Sequence, residues 1–276
     1  MTVDPDITAT IIFHREGAFA LPALASLWDS VSVARAAGIT VETQAILDRP
    51  DKLTRHVVEV RGAWLDVVEE VSIGDLGLIR NAGTRLAHGR FLAFLDGDDL
   101  WGEQWLRAAF EAATSPLSTA QSIWHPECVY YFSESDFDRH AIGETPHPSA
   151  RSFYVLHQPS DAPGFNQASL VFNHIWTANV FCRRELHVRH PYGAVDRFRG
   201  FGVEDWSWNF ETLWKGIPHS IVHSTVHIIR IKEAGSLSRK NAMEGLLPSL
   251  PKSFVWGKDV SKIKVDDFER RLPEGK

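Results

Sequence analysis

The sequence is poor in sulphur, with two cysteines and two methionines among 276 residues. Two thiols, Cys128 and Cys182, cannot form a disulfide framework or a four-thiolate zinc site. The fold must therefore be held together by its core. A chain of this length can manage that, because folding buries roughly three quarters of the surface that the unfolded chain exposes.

Basic residues are also scarce. Lysine and arginine number 29 against 35 acidic residues, which gives a net charge of −6, and they form no dense run. Nucleic-acid binders depend on such residues to neutralise phosphates. We therefore expect no nucleic-acid partner.

Long apolar runs are missing as well. No stretch approaches the ~20 apolar residues of a membrane span, and residues 1–6 are acidic where a secretion signal would be basic. We expect a chain without a transmembrane segment, cytoplasmic or peripheral to the membrane.

Tryptophan, by contrast, is abundant, with ten residues against four tyrosines. Its flat ring and single N–H donor suit cores, interfaces and sugar-stacking platforms. Core packing is the first expectation, since tryptophan is deeply buried on average. Trp176, Trp206 and Trp208 are also candidates for a platform on which a ligand ring stacks, because they lie near the acidic pair Glu204-Asp205 in the sequence.

The first half alternates apolar strands with helices. Strands are predicted at 9–13, 40–47, 66–71 and 91–95. The helix periodicity predicts a first helix that buries Leu21, Leu24, Trp28 and Val31 and ends near Gly38, a second at 53–60, and a third, through Ile79, Ala82 and Leu86, that is closed by Gly89.

This order predicts an α/β fold with a mostly parallel sheet covered by helices on both faces. Polar clusters at 14–16, 48–51 and 96–99 follow three of the strands. Ligands bind beyond the carboxyl ends of parallel strands, so these clusters should converge.

The second half is less regular. The pattern predicts a strand at 128–132, a loop or lid at 133–151, a helix at 204–214 and one or two strands within 219–231. We predict a single domain, 1–276, with a first half at 1–120, a second half at 121–231 and a polar tail at 232–276.

Three acids stand together after the apolar strand at 91–95, in Asp96-Gly97-Asp98-Asp99. Carboxylates this close repel one another unless a cation or hydrogen-bond donors lie among them. Hard oxygen ligands of this kind suit Mg²⁺ or Mn²⁺. The alternative is a solvated acidic turn in which Asp98 or Asp99 caps the next helix, and Asp99 alone favours a structural role.

The segment Arg80-Asn81-Ala82-Gly83 followed by Asp96-Gly97-Asp98 resembles family 2 glycosyltransferases of the GT-A fold. That family carries an Arg-Asn-x-Gly helix shortly before an Asp-x-Asp motif, and the likeness extends from about residue 8 to about residue 230. It implies a Rossmann-like GT-A domain with a C-terminal acceptor-binding extension. The implied activity is metal-dependent, inverting transfer of a sugar from a nucleotide donor to a hydroxyl.

The resemblance also implies residue roles on the donor side. Asp98 would ligate the Mn²⁺ or Mg²⁺ that bridges the two phosphates, and Asp96 would face the ribose or the waters of the metal. The remaining donor contacts would be Asp48 at the nucleobase edge, His14 and Glu16 along the nucleotide, and Asp75 and Arg80 beside base, ribose or diphosphate.

Two loops depart from the family pattern. The first commonly reads Pro-x-Tyr-Asn where this chain has Phe13-His14-Arg15-Glu16, and the second often has paired acids where this chain has the single Asp48. The identity of the base therefore stays open, with UDP as the default and GDP as the alternative. The acceptor also stays open among a glycan, a lipid-linked sugar and a protein.

Glu204-Asp205, after Gly200-Phe201-Gly202-Val203, resembles the family's Glu-Asp motif, whose Asp acts as general base. Inverting transfer needs one carboxylate near the acceptor hydroxyl to take its proton. Glu204 would orient the acceptor. Without the resemblance, the pair is the acidic first turn of a helix, which the helix dipole favours.

Some relatives complete the metal site with a histidine followed by x-x-Arg. His227-Ile228-Ile229-Arg230 fits that pattern, and neutral imidazole is a reasonable Mn²⁺ ligand. The alternative is a histidine of a β-strand without a ligand. No role is assigned to His125, His157 or His174.

Three other interpretations compete with this one. A haloacid dehalogenase-like phosphotransferase also has an apolar strand before Asp-x-Asp, but its motif belongs on the first strand, and the Arg-Asn-x-Gly helix is then unexplained. A non-catalytic nucleotide-sugar binder would not need Asp205. A lectin-like module would account for the tryptophans alone.

Overall fold

The computed structural model describes residues 4–116, 118, 121–133, 136, 151–232 and 237–251. Its strands, in chain order, are β1 (Ile7–Phe13), β2 (Val41–Asp48), β3 (Val67–Val71), β4 (Phe91–Asp96), β5 (Leu100–Trp101), β6 (Ile123–Ser133), β7 (Phe153–Leu156), β8 (Phe181–Arg183) and β9 (His219–Ile231). Its helices are α1 (Ala20–Ala36), α2 (Lys52–Arg61), α3 (Leu76–Leu86), α4 (Trp105–Thr114), α5 (Arg184–Arg189), α6 (Glu204–Trp214) and α7 (Leu237–Met243).

The first half of the sheet is parallel, in the order β3-β2-β1-β4. Helices connect these strands, so their carboxyl ends lie at one edge, where Phe13 pairs with Leu47 and Ile12 with Asp96. The four predicted strands and the convergence of their three polar clusters are therefore confirmed.

Both faces of this parallel half are covered by helices. Alternate residues of β4 enter two different buried clusters. Phe91 and Leu95 belong to the cluster that includes α1 and α4, whereas Leu92 and Phe94 belong to the one that includes Ile79 of α3. A strand buried on both faces requires an unbroken apolar sequence, which is what β4 has.

The second half of the sheet is mixed, but most paired residues of the whole sheet belong to parallel strand pairs, so the expectation of a mostly parallel sheet is confirmed. β8 pairs antiparallel with both β4 and β6. β6 and β9 run parallel, from Ile123 beside His219 to Ser133 beside Ile231. The segment 219–231 is thus a single strand, and β5 pairs antiparallel with its far side.

The predicted face of α1 is partly wrong. Leu21 and Trp28 are 44% and 45% exposed, and the helix buries small residues together with Leu24 and Leu27 instead. Small side chains let a helix approach a sheet closely, and apolar periodicity alone does not predict their burial.

Within the described residues, Gly17–Ala36 is the one helix that meets the length and composition of a membrane span.

Gly89 does not close α3 as predicted, because the helix ends at Leu86 with Ala87 as its C-cap. The glycine is instead required by a close approach, since a Cβ there would lie 2.3 Å from the Thr8 nitrogen. Most of the predicted lid at 133–151 and of the tail at 232–276 lies outside the described residues, and the division into two halves stays a prediction.

Candidate functional site

Arg80 lies at the centre of the site. Its guanidinium is fully buried, donating from Nη2 to Asp96 Oδ1 at 2.8 Å and from Nη1 to Glu204 Oε1 at 2.8 Å. These partners are 16 and 124 residues away in the sequence. Burial disfavours the charge, but the two carboxylates outweigh it and raise the pKa of Arg80. One cation thus joins the acidic cluster after β4 to the first turn of α6.

Arg80 was predicted to lie beside the donor, but the structure buries its side chain completely. With no exposed side-chain atom, the residue reaches a ligand only through Asp96 and Glu204, as their counter-ion. Both oxygens of the Asp96 carboxylate accept from Arg80 Nη2, at 2.8 and 3.1 Å. About a quarter of the Asp96 side chain remains exposed.

The glycine between Asp96 and Asp98 is a steric requirement. A Cβ at Gly97 would lie 2.4 Å from Phe13 Cδ1 and 2.7 Å from the Ile12 carbonyl oxygen. The turn therefore packs directly on the end of β1, which places Asp98 next to the loop after that strand.

After Asp96, Asp98 is the most accessible acid of the cluster. Its carboxylate contacts the ammonium of Lys232, just beyond β9. Within the described part of the chain, no three histidine, cysteine or acidic side chains are grouped so as to hold a metal. A nucleotide-bound Mg²⁺ needs only one or two protein carboxylates, because phosphates and waters fill the other positions. The acids present fit a cation that arrives with a diphosphate.

His227 lies on Asp99 rather than on Asp98, contrary to its predicted role as a metal ligand. Its Nε2 is 3.1 Å from Asp99 Oδ2, and both side chains are buried. Asp99 also accepts a hydrogen bond from the backbone N–H of Arg230 at 3.3 Å, and burial raises its pKa to about 6. Neither Asp98 nor Asp99 caps α4, whose N-cap is Gln104.

The loops after β1 and β2 contact each other through His14. Its Nδ1 lies 2.5 Å from the Asp48 carbonyl oxygen, and half of its side chain is exposed. Glu16 accepts the His14 backbone N–H at 2.6 Å. Burial, with the nearby Asp98 charge, raises the pKa of Glu16 to about 7. His14 and Glu16 therefore lie beside the acidic cluster, and their contact with a nucleotide stays a prediction.

Asp48 and Asp75 are committed to the backbone. Asp48 is buried and accepts from Ile73 N–H at 2.6 Å and Gly74 N–H at 3.0 Å. Asp75 caps α3 through Leu78 N–H at 3.0 Å and holds Val195 N–H at 2.9 Å with its other oxygen. Both were predicted to contact the donor, and both instead shape the loops around it.

Glu204 and Asp205 form the first turn of α6, as predicted. Asp205 Oδ1 accepts the Trp206 backbone N–H at 2.8 Å, and Oδ2 lies 3.1 Å from His174 Nε2. Burial raises the pKa of Glu204, assisted by the Asp205 charge. Burial also acts on Asp205, but His174 and Arg80 outweigh it, and the pKa of Asp205 is lowered.

Sequence reasoning missed His174. It lies in irregular chain between the Gln167–Val171 turn and β8, and no spacing relates it to Asp205. Its ring stacks on Trp206 with centroids 5.3 Å apart and planes 9° apart. Only the three-dimensional contact reveals it.

The predicted tryptophan platform is wrong. Trp176, Trp206 and Trp208 are all buried. Their indole N–H groups donate to the carbonyl oxygens of Gln158, Leu170 and His190, at 2.9, 2.7 and 2.6 Å. All three are core residues, and His174 covers Trp206.

No protein-family model and no curated protein sequence matches this chain. Solved structures do match. That of S. aureus TarS 1–349 in complex with UDP-GlcNAc is 14% identical with a TM-score of 0.55, over 86% of this chain and 66% of that one. The mannosyltransferase PcManGT from Pyrobaculum calidifontis, in complex with GDP-Man and Mn²⁺, is 14% identical with a TM-score of 0.54, over 85% and 59%.

GalNAc-T7, solved with UDP, GalNAc and Mn²⁺, is 15% identical with a TM-score of 0.53, over 83% of this chain and 44% of its own. The chain thus spans two thirds or less of the length of each of these proteins. Identities this low establish the fold alone, and family 2 membership stays a prediction. The chain has the α/β architecture of GT-A glycosyltransferases.

Proposed function

We propose that this protein transfers a sugar from a nucleoside-diphosphate donor to a hydroxyl acceptor, with inversion at the anomeric carbon. The observation that carries the proposal is the Arg80 guanidinium, which holds Asp96 on one nitrogen and Glu204 on the other. It couples a donor-side acid to the turn that bears Asp205.

The donor side is formed by the loops after β1, β2 and β4. His14, Glu16 and Asp98 are the accessible residues of these loops that we assign to the donor, and Asp48 and Asp75 bind backbone N–H groups of the loops around them. Solved neighbours bind UDP-GlcNAc and GDP-Man, which supports a nucleotide-sugar donor, with UDP as the default and GDP as the alternative. Asp98 would hold Mn²⁺ or Mg²⁺, and a bound cation would neutralise charge on the departing diphosphate.

The acceptor side is centred on Asp205. A low pKa keeps this carboxylate ionised, and each oxygen retains a free lone pair after its one hydrogen bond. The acceptor hydroxyl would give its proton to Asp205 as its oxygen attacks the anomeric carbon opposite the diphosphate. Glu204, fixed on Arg80, holds the turn in place.

A haloacid dehalogenase-like mechanism would require a free carboxylate nucleophile at Asp96. That carboxylate is bound through both oxygens to Arg80, which lowers its nucleophilicity. The fold neighbours are also transferases of sugars rather than of phosphoryl groups. The phosphotransferase interpretation is therefore not pursued.

Thermal unfolding with nucleotides tests the donor site. UDP or GDP should raise the melting temperature only when Mn²⁺ or Mg²⁺ is present, since ligands that bind the folded state stabilise it. Asp98→Ala should abolish that joint effect, while Asp29→Ala, which removes an exposed acid of α1, should not. Nucleotide stabilisation of the wild type that persists in chelator, or metal-dependent stabilisation that Asp98→Ala keeps in full, would contradict the proposed donor site.

A further inference from the structure

His174 and Asp205 form a fixed pair. The imidazole Nε2 lies 3.1 Å from Asp205 Oδ2, while the other carboxylate oxygen is held by Trp206 N–H at 2.8 Å. The ring is also stacked on the Trp206 indole, which is anchored to the Leu170 carbonyl oxygen at 2.7 Å. Both the position and the plane of the imidazole are therefore set by buried groups.

This pair is the accessible end of the Glu204-Asp205 motif. The His174 side chain is 36% exposed and that of Asp205 12%, against 6% for Glu204. Of these three side chains, His174 is therefore the one most accessible to solvent.

The charges around the imidazole favour its protonated form. Asp205 and Glu204 of α6 act on it, and it interacts with the nearby His157, while Arg80 of α3 and Tyr131 of β6 act on Asp205. Burial opposes protonation, but Asp205 and its hydrogen bond prevail and raise the pKa of His174. The pairing thus favours an imidazolium beside a carboxylate.

We propose that His174 is a positioning residue for the general base, fixing Asp205 Oδ2 by a hydrogen bond and keeping the carboxylate ionised until the acceptor hydroxyl arrives. This inference rests on the proposed function, because it presumes that Asp205 takes the acceptor proton. His174 donates a hydrogen bond and supplies charge, and it is not itself the proton acceptor.

The pairing itself is testable without any substrate, by following the imidazole resonances of His174 through a pH titration. His174 should titrate above the ordinary histidine range in wild type and at least about one pH unit lower in Asp205→Asn. His223, an exposed histidine 2.9 Å from Glu127, serves as the matched control and should titrate alike in both proteins. Identical His174 titrations in both proteins would overturn the inference.

The functional part is tested by the pH dependence of kcat for the nucleotide-sugar that the protein consumes fastest. His174→Phe keeps the ring on Trp206 but loses the charge, so the acidic limb should move up by about one pH unit or more. His174→Gln retains a donor and should restore part of the rate at its own optimum. A purely structural role would lower the melting temperature and leave the limb in place.

The two proposals fail in different ways. If Asp205→Asn keeps full turnover, the proposed base is wrong, although the titration would still report the pair. If Asp205→Asn loses turnover but the acidic limb of His174→Phe stays where it is in wild type, the base stands and the positioning role of His174 is overturned.

Discussion

Arg80 shows how a single residue can depend on partners that its own motif does not reveal. The Arg-Asn-x-Gly pattern marked it as important, but its partner Glu204 lies 124 residues away. Local sequence supports a residue's presence in a site, whereas its role depends on which groups the fold brings to it. The same reason explains why the sequence did not predict the contacts of Asp48, Asp75 and His227, which the structure places on backbone groups or on Asp99.

Replacing Arg80 with methionine should be strongly destabilising. The change leaves the Glu204 carboxylate buried without a counter-ion, and breaking a buried pair in this way costs about 3–5 kcal/mol. Glu204→Gln in the same background should recover part of that loss, because it removes the stranded charge. Urea unfolding of the single and double variants measures both effects.

Arg55→Met is the matched control for this cycle. It breaks the Arg55–Glu70 pair, which has the same 2.8 Å distance but lies on the surface, and should change stability little. If Arg80→Met lowered the free energy of unfolding as little as Arg55→Met does, the buried ion pairs of Arg80 would contribute little to stability.

At the scale of elements, the sequence predicted those whose stabilising pattern is local. The helix at 204–214 is found with those bounds, and the strand at 219–231 is continuous. β7 was missed, because its four residues are all exposed and only its pairing with β6 makes it a strand. The place of β8 between β4 and β6 depends equally on pairing between distant segments.

Strands β6 and β9 also contribute histidines to a buried stack that no motif predicted. His125 Nε2 lies 2.8 Å from His219 Nδ1, and the Trp176 ring stacks on both. Burial lowers the pKa of His219 to about 3 and that of neighbouring His157 to about 4, and it lowers that of His125 as well. These histidines are neutral in the folded protein.

Stability should therefore fall as the pH is lowered below the ordinary histidine value of 6.5. Below that pH the unfolded chain binds protons that the folded chain does not bind. Each such histidine therefore makes the free energy of unfolding fall by up to about 1.4 kcal/mol per pH unit. Urea unfolding between neutral pH and pH 5 measures the slope. His219→Phe keeps a ring in the stack and should make the dependence shallower by about one proton.

A slope that is the same in wild type and His219→Phe would mean that His219 takes up its proton without unfolding the strand pair. In that case the acid sensitivity would have to come from groups outside the stack.

At the scale of the whole molecule, the GT-A architecture explains why two short motifs far apart in sequence meet. Parallel strands bring the loops after β1, β2 and β4 to one edge of the sheet. α6, in the second half of the chain, meets that edge because its Glu204 pairs with Arg80, which also binds Asp96. Alternating strands and helices were enough to predict the parallel half. The mixed half was not predictable in detail, because its pairings join segments with no local relation.

The proposed transfer of a sugar with Asp205 as the base is decided by the turnover of Asp205→Asn. Consumption of a panel of UDP- and GDP-sugars should be measured with Mn²⁺ for wild type, Asp205→Asn and Glu204→Gln. Loss of general-base assistance predicts a kcat about 10²–10⁴-fold lower in Asp205→Asn, with nucleotide stabilisation retained, and a smaller loss in Glu204→Gln. Wild-type turnover by Asp205→Asn, or no nucleotide-sugar consumed by the wild type, would contradict the account.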